Sequence, residues 1–363
     1  MARTLLEIKD LSTGFITEGG IVKAVDGVSL TVETGQTVCV VGESGSGKSV
    51  TSLTVMRLSE YDGGQILGGE VWFQGENLLT KSQKEMRRIR GKRISMIFQE
   101  PMNALNPVFT VGDQIAEVVR MHERVTRDAA WARAVEMLRL VGIPEPVLRA
   151  RQYPHELSGG MCQRVVIAMA LVCHPELVIA DEPTTALDVT VQAQILDLLR
   201  DLQQKFGTAI MLITHDMGVA AEMADRIAVM YAGIIVEEGT VEQIFERPHH
   251  PYTIGLLKSI PGFEGERGTE LYTIRGNIPN LARLPSGCRF HPRCPFATDR
   301  CRQESPPLRK LDEGRKVACW YAEDVAAGRV TGAVTGMDVE STEAVPAELS
   351  PGDGQTAVRG AAK

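Results

Sequence analysis

The stretch Val41 to Ser49, VGESGSGKS, sets small residues, a lysine and a hydroxyl in the order G-x-x-x-x-G-K-[ST]. Such a loop lets backbone N–H groups converge on a polyphosphate, and a following helix N-terminus adds partial positive charge aimed at the same anion. In that arrangement Lys48 reaches the β- and γ-phosphates of a nucleotide and the Ser49 hydroxyl ligates Mg2+. Polar groups at the ends of apolar runs extend the chemistry. Asp181 and Glu182 end the run 176–180 (ELVIA), where Asp181 can hold Mg2+ through water and Glu182 can activate an attacking water. His215 ends the run 209–214 (AIMLIT), and Gln99 ends 94–98 (ISMIF). A second anion-binding helix end is expected at Ser158, a good N-cap followed by two glycines that leave the N–H groups bare.

These groups need strands that deliver them to one edge, because ligands of open α/β sheets bind at the carboxyl ends of the strands. Short apolar runs ending in polar residues are the pattern of buried parallel strands. Residues 4–42 read as an antiparallel lead-in, with alternation in 6–10 (LEIKD) and 29–32 (SLTV) and a turn at Glu18-Gly-Gly. Phe15 in this lead-in could stack on a purine base or be a half-buried strand aromatic. Cys39, in the strand feeding the loop, reads as a small hydrophobe. Further strands are expected over 69–75 and 94–99, then a loop with two prolines over 100–107 and helical patterning from Val111 to Val141. A helix over Val191 to Lys205 separates the last two strand ends. Residues 227–240 read as two short strands around an Ala232-Gly turn that close the domain.

The chain has 363 residues, enough for two domains, with 44% hydrophobic and 23% charged residues as in ordinary globular proteins. Its longest apolar run, Val165 to Cys173, has nine residues, too few to span a bilayer. The start MARTLLEIKD lacks a secretory pattern, so a cytoplasmic location is expected. A net charge of −7 argues against a broad nucleic-acid surface.

The phosphate loop, Gln99, LSGG at Leu157 to Gly160, VIADEP at Val178 to Pro183, ALD at Ala186 to Asp188 and His215 follow one another as in ATP-binding cassette ATPases, a family this chain resembles. FQEPMNALNP, YPHELSGG, HHPYTIGLL and GCRFHPRCP narrow the resemblance to the ATPase subunits of dipeptide and oligopeptide importers, over about residues 5 to 322. The resemblance implies an α/β ATP-binding cassette fold with a RecA-like parallel sheet, an antiparallel β lead-in and a helical subdomain at about 100–165, the whole cassette ending near 245. It implies nucleotide contacts from Phe15, Gly42, Glu43, Ser44, Gly45, Ser46, Gly47, Lys48, Ser49, Val50 and Gln99. Mg2+ would be held through Ser49, Gln99 and Asp181. Glu182 is implied as general base, with His215, Gln99 and Lys48 beside it. Two cassettes pack head to tail in this family, so Leu157, Ser158, Gly159, Gly160, Met161 and Asp188 would serve the partner's nucleotide. Cys162 departs from the family pattern, which commonly has arginine there, and is expected to leave a thiol near the dimer seam that alkylation could report.

Residues 246–323 read as an appendage. His249-His-Pro-Tyr252 opens it as a linker and helix start. Cys288, Cys294, Cys301 and Cys319 follow at spacings x5, x6 and x17 in a proline- and arginine-rich segment with little apolar material. Four thiolates can take zinc or a [4Fe-4S] cluster in place of a core; the spacing lacks the paired C-x2-C knuckles of common zinc modules, and the resemblance implies the cluster. Arg289, Arg293, Arg300 and Arg302 could compensate its charge, meet a partner or form a solvated face. Residues 324–363 have the composition of a disordered tail. No repeat supplies a second cassette. The expected function is thus ATP hydrolysis energising uptake of short peptides at the cytoplasmic face of the cell membrane, with two permease subunits, a second related ATPase and an extracytoplasmic peptide-binding protein, and no nucleic acid. The rival expectations are the same role for nickel, sugars or antimicrobial peptides, and a soluble cassette ATPase of DNA repair or translation.

Overall fold

A computed structural model describes residues 3–185, 187–260, 272–312 and 314–329. Two sheets carry the molecule. The first is antiparallel, ordered β2 (Gly20–Glu33), β1 (Thr4–Thr17), β4 (Gly64–Phe73) and β5 (Glu76–Asn77). Strands β1 and β2 are 14 residues each and bulged along their pairing, which lets so long a ribbon twist over the second sheet.

The second sheet is ordered β11 (Arg309–Lys310), β12 (Lys316–Val317), β10 (Ile234–Thr240), β9 (Arg226–Tyr231), β3 (Thr37–Val41), β8 (Ala209–Thr214), β7 (Leu177–Asp181) and β6 (Ile94–Ile97). From β9 to β6 the pairs are parallel. Every residue of β3, β7 and β8 is buried, as expected of strands covered on both faces. Their side chains alternate between two cores. Val38, Val40, Leu177, Ile179 and Met211 face the antiparallel sheet, while Cys39, Val41, Val178, Ala180, Ile210 and Leu212 face the helices. Cys39 is fully buried, as its reading as a small hydrophobe requires.

The helical stretch expected over Val111 to Val141 is two helices, Val111–His122 and Arg127–Leu140, broken where Thr126 caps the second. The helix Gly159–Leu171 begins behind its Ser158 cap and runs into the main core. Cys173, at the end of the apolar run, lies just past this helix and is buried there. Cys162 also departs from expectation. Its side chain is completely buried, with the thiol 3.4 Å from the Pro154 carbonyl, because helical periodicity turns this position inward while Ser158 and Gly159 stay exposed.

The C-terminal segment is joined to the cassette more closely than its composition suggests. Strand β12 pairs with β10, so the main sheet continues into the extension. Tyr252, Leu256, Leu257 and Phe290 belong to the core that also holds Val41 and Ile227. His250, read as part of a linker, is buried; it caps the helix Pro251–Lys258, its own N–H held by Glu237. The onset of the tail also moves. Residues 324–329 are structured, with Ala322–Ala326 helical and Val325 buried, and the rest of the expected tail lies outside the described residues. Among the described residues no helix is long and apolar enough to cross a membrane.

Candidate nucleotide and catalytic site

Strand β3 ends at Val41, and the helix Lys48–Val55 begins seven residues later. The loop between is shaped by glycines that no other residue can replace. Gly47 is left-handed (φ 102°), and a Cβ there would stand 2.4 Å from the Ala24 carbonyl oxygen. A Cβ on Gly42 would meet the Met230 carbonyl oxygen at 2.2 Å. No side chain caps the helix, so its first N–H groups stay free for an anion. Lys48 is buried, and its ammonium donates to the carbonyls of Gly42 (2.7 Å) and Glu43 (3.0 Å). Burial pulls the lysine pKa down, while the carboxylates of Glu182, Asp181 and Glu43 push it back up.

The Ser49 hydroxyl donates to Asp181 Oδ1 at 3.0 Å, joining the phosphate loop to the end of β7. Burial raises the Asp181 carboxyl above its ordinary range, opposed by that hydrogen bond. A carboxylate in such a place, with Glu182 next to it, is costly without a cation. A hydroxyl and a carboxylate side by side are the oxygen ligands that Mg2+ takes.

Glu182 sits where three elements meet. Its backbone is left-handed (φ 46°), turning the chain off β7, and its N–H bonds to the Ile213 carbonyl of β8. Its Oε2 accepts from Thr185 Oγ1 at 2.9 Å and Gln99 Nε2 at 3.3 Å, and lies 3.2 Å from His215 Nδ1. The carboxylate is 14% exposed, while His215 is 58% exposed. A partly shielded carboxylate beside an open imidazole and an exposed amide can orient a water and accept its proton. Thr185 is the one partner the sequence did not mark, since a threonine in a loop carries no distinctive spacing.

The other candidates fall elsewhere. Phe15 is half-buried on β1, paired with Val22 and Gly64. Ser44 and Gly45 are exposed at the loop tip, Ser46 is buried with an unpartnered hydroxyl, and Val50 packs against the core under the antiparallel sheet. Leu157, Ser158, Gly159, Gly160 and Met161 form a separate helix end, where Ser158 Oγ accepts from Met161 N at 3.3 Å. Asp188 has a local task, accepting from Val191 N at 3.0 Å as the cap of the helix Val189–Phe206.

Cys288, Cys294, Cys301 and Cys319 line one cavity with Phe290, Phe296 and Trp320. Burial pushes the thiols of Cys294 and Cys319 up to about 12. Among the described residues, however, no group of three or more His, Cys, Asp or Glu could hold a single metal ion. The four arginines of this segment divide. Arg293 is almost buried against Glu43 and Arg289 pairs with Asp26, whereas Arg300 and Arg302 stay on the surface, half exposed, beside Glu304 and Asp299. The solvated-face reading therefore holds only for the second pair.

Comparison with known proteins agrees with this geometry. Residues 25–185 match the ABC transporter family and 236–301 match the oligopeptide/dipeptide transporter, C-terminal region. The oligopeptide transport ATP-binding protein OppD of Bacillus subtilis is 51% identical, with 95% of this chain and 94% of that protein aligned. The dipeptide transport ATP-binding protein DppD of Escherichia coli is 49% identical over 90% of this chain and 99% of that protein. Among solved structures, the ATP-binding cassette MJ0796, in a dimeric post-hydrolysis state bound to ADP and Pi, superposes with a TM-score of 0.59 at 28% identity, covering 65% of this chain and 99% of that one. The chain belongs to the ABC transporter family, as an ATP-binding cassette carrying the C-terminal region of its oligopeptide and dipeptide transporters.

Proposed function

We propose that this chain is the ATP-hydrolysing subunit of an importer of short peptides. The observation that carries the proposal is the meeting of Gln99, Thr185 and His215 on Glu182, next to the Ser49–Asp181 pair at the phosphate loop. Phosphoryl transfer asks mainly for positioning and charge stabilisation. Lys48 and the loop amides hold the phosphates, Ser49, Asp181 and Gln99 would hold Mg2+, Glu182 takes the proton of the attacking water, and His215 steadies that water. Mg2+ supplies charge neutralisation on the phosphate oxygens when bound. Ser158, Gly159 and Gly160 act on the nucleotide of a second, related ATPase packed head to tail, and Asp188 faces it.

The names of the relatives support peptides as the cargo, and the match over 236–301 favours an importer over a soluble cassette of DNA repair or translation. The proposed organisation is a cassette over residues 1–245 and an extension after it, attached at the cytoplasmic face of the membrane to two permease subunits that receive peptide from an extracytoplasmic binding protein.

The four cysteines, which line one cavity, are read as ligands of a [4Fe-4S] cluster in preference to zinc because their spacing lacks the paired C-x2-C knuckles of common zinc modules. Such a cluster would take one thiolate at each iron. Its contribution in this reading is to hold the extension together.

The test is to tag the chain, solubilise membranes anaerobically in mild detergent, identify the copurifying proteins and assay iron and sulfide. Two polytopic permeases and a second ATPase are expected, with iron and sulfide in the same sample. Recovery only from the soluble fraction, with nucleic acid or ribosomes, would overturn the importer reading; zinc without sulfide would overturn the cluster.

A further inference from the structure

The phosphate loop contains a negative charge of its own. Glu43 follows Gly42 in a loop built to receive a polyanion, and its carboxylate is close enough to act on the Lys48 ammonium. An unpaired carboxylate there opposes the binding of phosphate, since like charges in a shielded site repel more strongly than in water.

The charge is met from the far end of the chain. Arg293 Nη1 and Nη2 grip Glu43 Oε2 and Oε1 at 2.6 and 3.0 Å, a two-pronged geometry that a lysine cannot reproduce. The arginine side chain is only 4% exposed, against 32% for Glu43. It is fixed by the Arg275 carbonyl at 3.1 Å and lies over the Tyr231 ring. Tyr252 adds a second tie, its hydroxyl accepting from the Glu43 N–H at 2.9 Å. Arg289 docks the same segment, donating to the Ala232 carbonyl and pairing with Asp26. A residue 250 positions away thus reaches the loop through a segment seated by further bonds.

We propose that Arg293 is a positioning residue of the ATP site: it neutralises Glu43 and anchors the first turn of the phosphate loop, so that the C-terminal extension is a working part of nucleotide binding. This rests on ATP binding at the phosphate loop and adds to it a defined task for the extension, independent of any metal.

The test is a double-mutant cycle on the full chain, purified anaerobically, titrated with a fluorescent ATP analogue and Mg2+. Arg293→Ala is expected to weaken binding about tenfold, and adding Glu43→Gln should restore it to within about threefold of the parent, because removing the carboxylate removes the repulsion. Arg293→Lys, which keeps the charge but loses the two-pronged grip, should fall between the parent and Arg293→Ala. Arg293→Gln, which keeps most of the side-chain stem over Tyr231, carries the same cycle if the alanine variant does not fold. Parent-like binding by both the Ala and Gln variants, or a double variant as weak as the Arg293 single, overturns the proposal, since a purely structural arginine gains nothing from Glu43→Gln. Lys48→Ala separates the two layers: if parent binding were insensitive to it, the ATP site itself would fall, and the role of Arg293 with it.

Discussion

His215 Nδ1 stands 3.2 Å from the Glu182 carboxylate, although the two residues end different strands, β8 and β7. The parallel pairing of those strands, with Asp181 opposite Ile213, sets this distance. The carboxylate is therefore held, not merely present, and its loss is expected to affect the chemical step more than binding. Glu182→Gln should lower turnover at least ~100-fold, the low end for a general base, while ATP affinity stays near that of the parent. Phosphate release and equilibrium binding on the same preparation check this. Near-normal hydrolysis would remove Glu182 from the role.

Gly47 offers a test of the loop itself. Alanine there must hold φ near 102° with its Cβ against the Ala24 carbonyl oxygen, so the loop has to shift. A strained left-handed residue costs on the order of 1–3 kcal/mol, and here the strain falls where the phosphate contacts are made. Gly47→Ala should melt at a lower temperature and lose nucleotide-induced thermal stabilisation. A variant that melts early but is still stabilised by ATP would show that the loop tolerates the shift.

Much of this site is written locally in the chain. A strand feeding G-x-x-x-x-G-K-S, and apolar runs ending in Asp181-Glu182 and His215, state both the residue and the element that presents it. The Ser158 cap was legible for the same reason, since capping is decided within a single turn. What local pattern does not contain is long-range pairing. Arg293 and Tyr252 reach Glu43 across 250 and 209 positions, and nothing in the spacing of GCRFHPRCP distinguishes that arginine from Arg300 or Arg302, which stay on the surface. The extension looked poor in apolar residues because it borrows its core. Phe290 is buried against Tyr231 of the cassette as well as Tyr252 of the extension, in the core that also holds Val41 and Ile227, so part of its packing surface is supplied by the cassette.

The three cysteines of the cassette should be silent to reagents. Cys39, Cys162 and Cys173 are buried, and burial raises all three thiols above their ordinary range, leaving almost no thiolate at neutral pH. Iodoacetamide on the native protein, followed by peptide mass spectrometry, is expected to leave these sites unmodified until denaturant is added. Rapid native labelling of Cys162 would place that thiol back at an accessible surface.

Glu237 gives the protein a pH dependence of definite sign. The residue is fully buried on β10, and burial lifts its carboxyl from 4.5 to about 7 although the N–H groups of His249 and His250 and the nearby Arg315 favour the charged form. A raised acid pKa means that the folded state holds the proton more tightly than the unfolded one. The resulting stabilisation is complete below about pH 4.5 and is lost as pH rises through about 7. The shift corresponds to a difference on the order of 3 kcal/mol across that window. Glu237→Gln is neutral throughout and should remove this slope, at a cost of about 1 kcal/mol at low pH for one weakened acceptor. Subtracting the variant's unfolding free energy from the parent's at each pH isolates the one carboxyl from every other titrating group. The difference should favour the parent at about pH 4 and shrink or reverse by about pH 8. A difference that stays constant, or grows with pH, would mean that the two N–H donors and Arg315 outweigh burial and hold Glu237 ionised in the fold.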